Sequence, residues 1–471
     1  MINQDTIIAL ATPSGIGAIA VIRLSGEDSI NIVNRLFISR NKRKNLLKEK
    51  THTIHLGHVK DHNRIIDEVL VSIFKNPTSY TGENVVEISC HGSIYIQQEI
   101  IQLFIKNGVR LASPGEFTLR AFLNGKLDLS QAEAVADLIT SDSKASHQIA
   151  MQQMRGGFSN EIENLRQELL NFASLIELEL DFAEEDVEFA NRDDFQKLVH
   201  KITSVLKRLI ESFAFGNVLK NGIPVAIIGE PNVGKSTLLN ALLNEEKAIV
   251  SHIAGTTRDA IEDELIIDGV SYRFIDTAGI RDTEDVVENI GIKKTFEKAA
   301  LAQVIIYLID TSIIRNKNKE EQLQFLNNLE EEIDKLKIKF PDKKLIIVAN
   351  KTDLLSEKEI EIFKQHIKNM ILLSAKNKVG IHQLTEELTS LVNTGALSNN
   401  QTIVSNSRHF EALNKALVEI NNIQKGIDNQ LSSDLIAIDI RQALYHMGEI
   451  TGTVTTEDLL GNIFANFCIG K

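Results

Sequence analysis

The 471-residue chain is 43% hydrophobic and 24% charged, and its 51 Lys and Arg against 64 Asp and Glu leave a net charge of −13. That mixture excludes a disordered chain and suits about three globular domains of ~150 residues. The acidic balance argues against gripping nucleic acid through bulk charge, although a local basic patch stays open.

Residues 1–124 mix short strand-like runs with turns. Thr6–Ala9, Ala18–Ile22, Val69–Phe74 and Val85–Ile88 read as strands, and Asp28–Phe37 as an amphipathic helix, an α+β pattern. From residue 125 glycine thins out, and proline is absent from Glu116 through Ile223, so long helices are predicted. Ala132, Val135, Leu138 and Ile139 mark one apolar helix face, and Ile162, Leu165, Leu169 and Phe172 mark another. From residue 222 strands and helices alternate, with strands predicted at Val225–Ile228, Tyr272–Ile275, Val304–Ile309, Leu345–Val348 and Ile371–Leu373. Such alternation implies helices packed on a mainly parallel sheet. Glu320–Lys339 reads as a solvated surface helix. A polar linker, Thr394–Asn406, precedes helices at His409–Ile423 and Asp434–Met447. The predicted architecture is an α+β domain over 1–124, a helical domain over 125–221 and 394–471, and an α/β domain over 222–393 inserted into it. No run is apolar for the ~18 residues a membrane span needs, and Met1–Leu10 lacks the pattern of a secretory signal. Cys90 and Cys468 cannot form a disulfide framework, so a reducing cytoplasm is expected.

Gly229-Glu-Pro-Asn-Val-Gly-Lys-Ser236 follows the strand Val225–Ile228 and opens a helix, the context a phosphate loop needs. Its glycines let backbone N–H groups turn toward phosphate oxygens, and the helix N-terminus adds a favourable dipole. Asn232, Val233, Gly234, Lys235, Ser236 and Thr237 would surround the phosphates, with Lys235 reaching the β- and γ-phosphates and Ser236 ligating Mg²⁺. Four further segments follow in order. Thr257, in Ala254-Gly-Thr-Thr-Arg-Asp259, can give Mg²⁺ a second hydroxyl. In Asp276-Thr277-Ala278-Gly279 the Asp can hold Mg²⁺ through water and Gly279 can donate to the γ-phosphate. In Asn350-Lys351-Thr352-Asp353 the carboxylate can accept from guanine N1–H and the 2-amino group, donors that adenine lacks. Ser374-Ala375-Lys376 can close over the base. Five segments in this order, most of them directly after a predicted strand, point to GTP. His91 and Cys90 suggest a catalytic or metal pair, yet no further ligands have metal-like spacing and a turn histidine is the plainer reading. A single Cys near a C-terminus, as Cys468 is, is ordinarily a plain tail residue.

The set resembles the translation-factor-related GTPases, and more closely the MnmE (TrmE) family of tRNA-modification GTPases. Ile280 stands where Ras-type enzymes have a water-orienting Gln. The resemblance implies a K⁺ site at Asn232, Ser251, Ile253 and Thr256, where K⁺ supplies the charge that other GTPases take from an arginine finger. Ser251 and His252 replace the family's usual Thr and Asp, and the Ser251 contact is a carbonyl. It also implies that Glu288 orders the attacking water; the residues alone leave a surface acid as the alternative. Ala11–Ala18, Val21–Gly26, Ser79–Asn84, His91-Gly92, Pro114–Phe117, Arg120–Asp128 and the ending Cys468-Ile-Gly-Lys471 match the family as well, so the likeness runs end to end.

The resemblance further implies a reduced folate, 5-formyl- or 5,10-methylene-tetrahydrofolate, bound by Arg23, Glu87, Lys126 and Lys471, and a role for Cys468 in the chemistry. It implies a homodimer joined through the N-terminal domains. With an MnmG (GidA)-type FAD protein, in a heterotetramer, the homodimer would add aminomethyl or carboxymethylaminomethyl groups to C5 of the wobble uridine of certain tRNAs. No G-x-G-x-x-G opens a helix, which leaves the flavin to the partner. The other compatible reading is an Era/Der-like ribosome-assembly GTPase without covalent chemistry. Such factors carry a basic RNA-binding domain after the G domain, whereas the segment after Asn393 is helical and mixed in charge.

Overall fold

The computed structural model describes residues 5–41, 44–181, 191–243, 248–250, 263–275, 299–315, 317–391, 402–465 and 467–470. By internal contacts the chain forms two compact units. One comprises Met1–Ile139, Met151–Lys207 and Glu411–Lys471, the other Thr140–Ala150 and Arg208–Phe410.

The first unit holds a seven-stranded sheet. Its strands are β1 (Ile7–Leu10), β2 (Ile19–Ser25), β3 (Phe37–Ser39), β4 (Thr53–Asp61), β5 (Arg64–Phe74), β6 (Val85–His91) and β7 (Arg110–Leu111), in the order β3-β4-β5-β6-β2-β1-β7. All pairs are antiparallel except β1 with β7. Strand alternation sends Ile22 and Leu24, Val71 and Ile73, and Val86 and Ile88 to one face. Ile30 and Val33 of α1 (Ser29–Leu36) and Ile100 and Phe104 of α2 (Ile94–Lys106) complete that core. Burying each such side chain contributes about 1.5–3 kcal/mol.

Four of these seven strands are visible as apolar runs. β4 is not, because its pattern is inverted: His55, Gly57 and Val59 face inward while Ile54 and Leu56 are exposed. Phe37, expected to end a helix, instead begins β3. The helices of this unit include α3 (Glu116–Leu123), α4 (Leu129–Thr140) and α6 (Gly157–Asp181), with α5 (Lys144–Met154) and α7 (Arg192–Asn221) contributing in part. On α6 the expected face holds: Ile162, Leu165 and Leu169 are buried and Phe172 stacks on Phe195 at 4.3 Å. On α4 Ala132 and Val135 are buried but Ile139 is exposed, a correction to the predicted face, since the helix's final turn leaves the core. The helix Ser433–Thr451 packs on α6, where Arg166 donates to the Leu444 carbonyl. A helix not foreseen, Glu457–Ala465, leads to Phe464 and Phe467, which pack on Leu129 and Ala132.

The second unit is built on a sheet of order β14-β13-β12-β8-β11-β10-β9. β8 (Ile223–Ile228), β11 (Val270–Phe274), β12 (Val304–Asp310), β13 (Lys344–Asn350) and β14 (Ile371–Leu372) are parallel. β10 (Asp263–Ile267) and β9 (Ala248–Val250) add an antiparallel edge that the sequence pattern did not reveal. Ile306 and Leu308 of β12 face Leu238 and Leu242 of α8 (Lys235–Leu243) and Leu384 and Leu388 of the helix Ile381–Ser390. Ile309 and Ile347 face the other way, toward Leu326, Leu329 and Ile333 of Lys319–Lys339 and Phe363 of Glu357–His366. Lys319–Lys339 is therefore not merely solvated: one stripe is buried, and a capping box of Asn318 and Glu321 starts it.

Candidate functional site

The nucleotide site grows out of the carboxyl ends of three adjacent parallel strands, where open α/β sheets bind ligands. β8 ends at Ile228 and the chain turns through Gly229 to Lys235, the first residue of α8. The turn needs glycine at two places. Gly229 has φ +152° and a Cβ there would lie 2.3 Å from the Leu308 carbonyl; Gly234 has φ +100° and a Cβ would lie 2.5 Å from Asn350 Nδ2. Lys235 Nζ donates to the carbonyls of Gly229 (2.9 Å) and Glu230 (2.8 Å), so the ammonium sits in the mouth of the loop. Ser236 is half-buried and Thr237 exposed in the first turn of α8, beside the helix's unpaired N–H groups. Neither hydroxyl has a protein partner among the described residues, which fits Ser236 as a Mg²⁺ ligand.

β13 delivers the base-recognition loop. Asn350 is buried and acts as a clip: Nδ2 donates to the Val233 carbonyl at 2.8 Å, and Oδ1 accepts from the N–H groups of Lys351 (2.8 Å) and Ala375 (3.0 Å). One side chain thus ties the phosphate loop, the Asn350–Asp353 loop and the Ser374–Lys376 loop together. Ser374 Oγ donates to Asp353 Oδ1 at 2.6 Å and orients an exposed carboxylate whose Oδ2 remains available to a ligand. Lys376 is exposed at the rim.

Sequence reading missed Asp310, the last residue of β12. Its carboxylate accepts from Lys351 Nζ at 2.6 Å and from the N–H and Oγ–H of Ser312 at 2.9 and 2.6 Å. Burial works to raise its pKa, but the Lys351 and Ser312 bonds outweigh it and hold the carboxyl below its ordinary value. Lys351 Nζ also donates to the Asn232 carbonyl at 2.9 Å. An Asp directly after a buried apolar run and before Thr-Ser was the available signal.

Asn232 has φ +62° and an exposed side-chain amide with no protein partner among the described residues, a fit for a cation ligand. Ser251, Ile253, Thr256, Thr257, Asp276, Thr277, Ala278, Gly279, Glu288 and Lys471 lie outside the described residues.

In the first unit a second constellation forms. Arg23 on β2 and Glu87 on β6 are cross-strand neighbours, and Arg23 Nε and Nη2 both donate to Glu87 Oε1, at 2.9 and 2.7 Å. The guanidinium lies 5.4 Å from the Tyr80 ring centroid and 5.8 Å from that of Phe117, and Nη1 donates to the Gly470 carbonyl at 3.4 Å. The segment carrying Cys468 is held here by Phe467 in its apolar pocket and by the Gly115 N–H donating to the Cys468 carbonyl at 3.5 Å. Cys468 is exposed, whereas Cys90 is buried and its thiol is pushed up to about 11, first by burial and then by Asp67. Lys126 is exposed, its stem over Gly82. His91 is not a turn residue. It is the last residue of β6, and its Nδ1 lies 2.7 Å from Asp67 Oδ1 while its N–H donates to Asp67 Oδ2. Among the described residues no group of three His, Cys, Asp or Glu is placed to hold a metal.

A lysine-closed phosphate loop clipped to an Asn-Lys-Thr-Asp loop on a parallel sheet defines a phosphate-loop GTPase. A family model described as the MnmE helical domain matches residues 129–468, and one described as the GTP-binding protein TrmE N-terminus matches residues 6–126. The tRNA modification GTPase MnmE of Flavobacterium johnsoniae is 66% identical over 475 residues and covers 100% of both chains. The proteins of that name from Christiangramia forsetii and Bacteroides fragilis are 66% and 50% identical, with 99% of each chain covered in the first pair and 100% in the second. The chain belongs to the MnmE family of tRNA modification GTPases.

Proposed function

We propose that this GTP hydrolase uses K⁺ as well as Mg²⁺ and modifies the wobble uridine of certain tRNAs at C5 with a one-carbon unit from a reduced folate. The domain limits we assign are 1–124, 125–221 with 394–471, and 222–393. Lys235 and Ser236 hold the phosphates and Mg²⁺. Asn232, with Ser251, Ile253 and Thr256, holds K⁺, while Thr257 completes the Mg²⁺ shell and Glu288 orders the attacking water. K⁺ supplies positive charge beside the phosphates as the γ-phosphoryl leaves.

One observation carries the folate half of this reading: Arg23, Glu87 and the Cys468-bearing segment meet on one face of the N-terminal sheet. Arg23 occupies Glu87 Oε1 and leaves Oε2 without a protein donor among the described residues, so Arg23 orients a carboxylate whose second oxygen suits the N–H and amino donors of a pterin. The folate, when bound, supplies the methylene carbon; the chain's residues bind it and present Cys468. Lys126 and Lys471 would meet its glutamate tail.

The same sheet supports a homodimer. Ile54 and Leu56 on β4 and Leu70 on β5 are exposed on its outer face, with Leu56 directly opposite Leu70. An apolar cluster of this kind marks an interaction surface. An MnmG (GidA)-type FAD protein is the assigned partner, in a heterotetramer, and the cytoplasm the assigned compartment. No helix among the described residues is long and apolar enough to cross a membrane.

The deciding experiment is mass spectrometry of tRNA nucleosides from cells lacking the protein, complemented with wild type or Cys468→Ser. Loss of modified wobble uridines, restored by wild type alone, is expected. Unchanged nucleosides would refute the reading and favour the ribosome-assembly alternative.

A further inference from the structure

The chain is acidic, yet residues 40–50 carry six cations (Arg40, Lys42, Arg43, Lys44, Lys48, Lys50) and one acid, Glu49. With 51 cations in 471 residues, an average window of that length holds about one. The enrichment alone would describe a solvated loop. The structure adds two facts that a solvated loop does not need.

First, the connection is pinned. Leu46 is buried, and its N–H donates to Asn34 Oδ1 at 2.9 Å at the end of α1. Asn45 caps the short turn that follows by accepting from the Leu47 N–H at 3.0 Å. The Arg40 N–H donates to the Leu56 carbonyl on β4 at 3.0 Å, and Lys50 offers its carbonyl to Thr53 Oγ1 at 2.7 Å. Lys75, at the end of β5, reaches across and donates from Nζ to the Leu47 carbonyl at 3.0 Å, while Lys44 Nζ sits 3.5 Å from the buried His55 ring. Arg40, Lys44, Lys48, Lys50 and Lys75 are therefore displayed from one bonded patch beside β4.

Second, these cations are not neutralised. Elsewhere on the surface lysines sit on acids, as in Lys197–Asp194, Lys201–Glu168, Lys337–Asp334 and Lys415–Glu411. None of the five patch cations has an ion-pair partner among the described residues, although the chain has more acids than bases. Cations spaced along a rigid surface and left without partners suit a polyanion with regularly spaced charges.

We propose that this patch is where the sugar–phosphate backbone of tRNA docks on the N-terminal domain. The inference rests on the tRNA-modification reading and deepens it by naming the surface. An anionic membrane is the competing polyanion, since basic clusters also attract acidic lipids, but the chain belongs to a family of tRNA modification GTPases. The chain has no Trp, and residues 40–50 contain no aromatic side chain. The same lack of aromatics and of a groove-entering helix makes the contact one with phosphates, blind to base sequence.

The test uses the full chain and an unmodified tRNA transcript, titrated by fluorescence anisotropy at several KCl concentrations. The variant is Arg40→Gln/Lys48→Gln/Lys50→Gln, whose side chains make no bonds among the described residues. Removing three phosphate-binding charges should make the slope of log K against log salt shallower by about 2–3, and affinity at moderate salt should fall at least about tenfold. GTP hydrolysis and melting temperature should not move, and Lys48→Arg/Lys50→Arg should bind as wild type does. Equal affinity and slope for variant and wild type would overturn the proposal. So would a triple variant that loses binding to phosphatidylserine vesicles while keeping tRNA. Modified nucleosides in complemented cells separate the two levels. A wild type that restores them, matched by a triple variant that binds and restores equally, sinks the docking surface alone. A wild type that neither binds tRNA nor restores them sinks both.

Discussion

Asp310→Asn should weaken GDP and GTP binding without contacting the nucleotide. The wild-type carboxylate joins Lys351 Nζ, which in turn holds the Asn232 carbonyl, so one ion pair braces the base loop against the phosphate loop. The Asp310 side chain is 14% exposed and that of Lys351 32%, so the pair is only partly screened. A hydrogen bond to a charged group contributes about 1.5–3 kcal/mol net. Asparagine has a single amide oxygen: if it keeps the acceptor for the Ser312 N–H, its NH2 group replaces Oδ2 and meets Lys351 Nζ donor against donor, so the charge-assisted bond is lost outright. The loss is therefore about 1.5–3 kcal/mol, or roughly ten- to a hundredfold in Kd. Titration of a fluorescent GDP analogue at pH 7.5 measures it directly. The brace also predicts a pH effect of definite sign. A carboxyl held below its ordinary pKa stabilises the fold above the unfolded value of 3.8 and loses that contribution as pH falls through the folded one. Wild type and Asp310→Asn should thus converge in stability under acid conditions. A Kd within twofold of wild type at pH 7.5 would refute the brace.

K⁺ should accelerate GTP hydrolysis over Na⁺, and removing the Asn232 side chain should erase the difference. Because Asn232 has φ +62°, Asn232→Gly is the cleaner variant, since alanine adds about 1–2 kcal/mol of backbone strain; equal rates in both salts for wild type would sink the potassium site. Iodoacetamide at pH 8 should label Cys468 and leave Cys90 untouched in the folded chain, because Cys90 is buried with its thiol pushed up to about 11. Peptide mass spectrometry reads this out, and comparable labelling would contradict the placement of both. Gly216→Ala should lower the melting temperature, since a Cβ on α7 would lie 2.2 Å from the Val404 carbonyl and 2.5 Å from Ile403. A cost of about 1–3 kcal/mol is expected, and an unchanged transition would mean the 402–406 segment does not pack there.

The parallel sheet was legible because its strands are buried on both faces and read as continuous apolar runs, such as Val304–Ile309. The N-terminal sheet was half legible. Strands with a one-sided apolar face, such as Val85–Ile88, stand out. β4 does not, since it buries His55 and Gly57 and exposes Ile54 and Leu56, so its apolar alternation points to the face away from the core. The Lys319–Lys339 helix misled through composition: its charges are real, but five residues at helical spacing are buried regardless.

The two sites differ in legibility for a geometric reason. The guanine site is assembled from loops that each follow a strand of one sheet, so every loop advertises itself locally and strand order does the gathering. What stays invisible locally is the cross-bracing, where Asn350 reaches Val233 and Ala375 and Asp310 reaches Lys351. The Arg23–Glu87 site has no such local signature. Its parts are a strand arginine, a glutamate 64 residues away and a carbonyl 447 residues away, each an ordinary surface residue until antiparallel register and the Phe467 anchor bring them together. Resemblance nominates Arg23 and Glu87 as folate contacts, and the bonding pattern separates the parts that the proposal gives them. Arg23 spends its donors on Glu87 and on the C-terminal segment, so under the folate proposal it would be the orienting residue and Glu87 Oε2 the atom that meets the ligand.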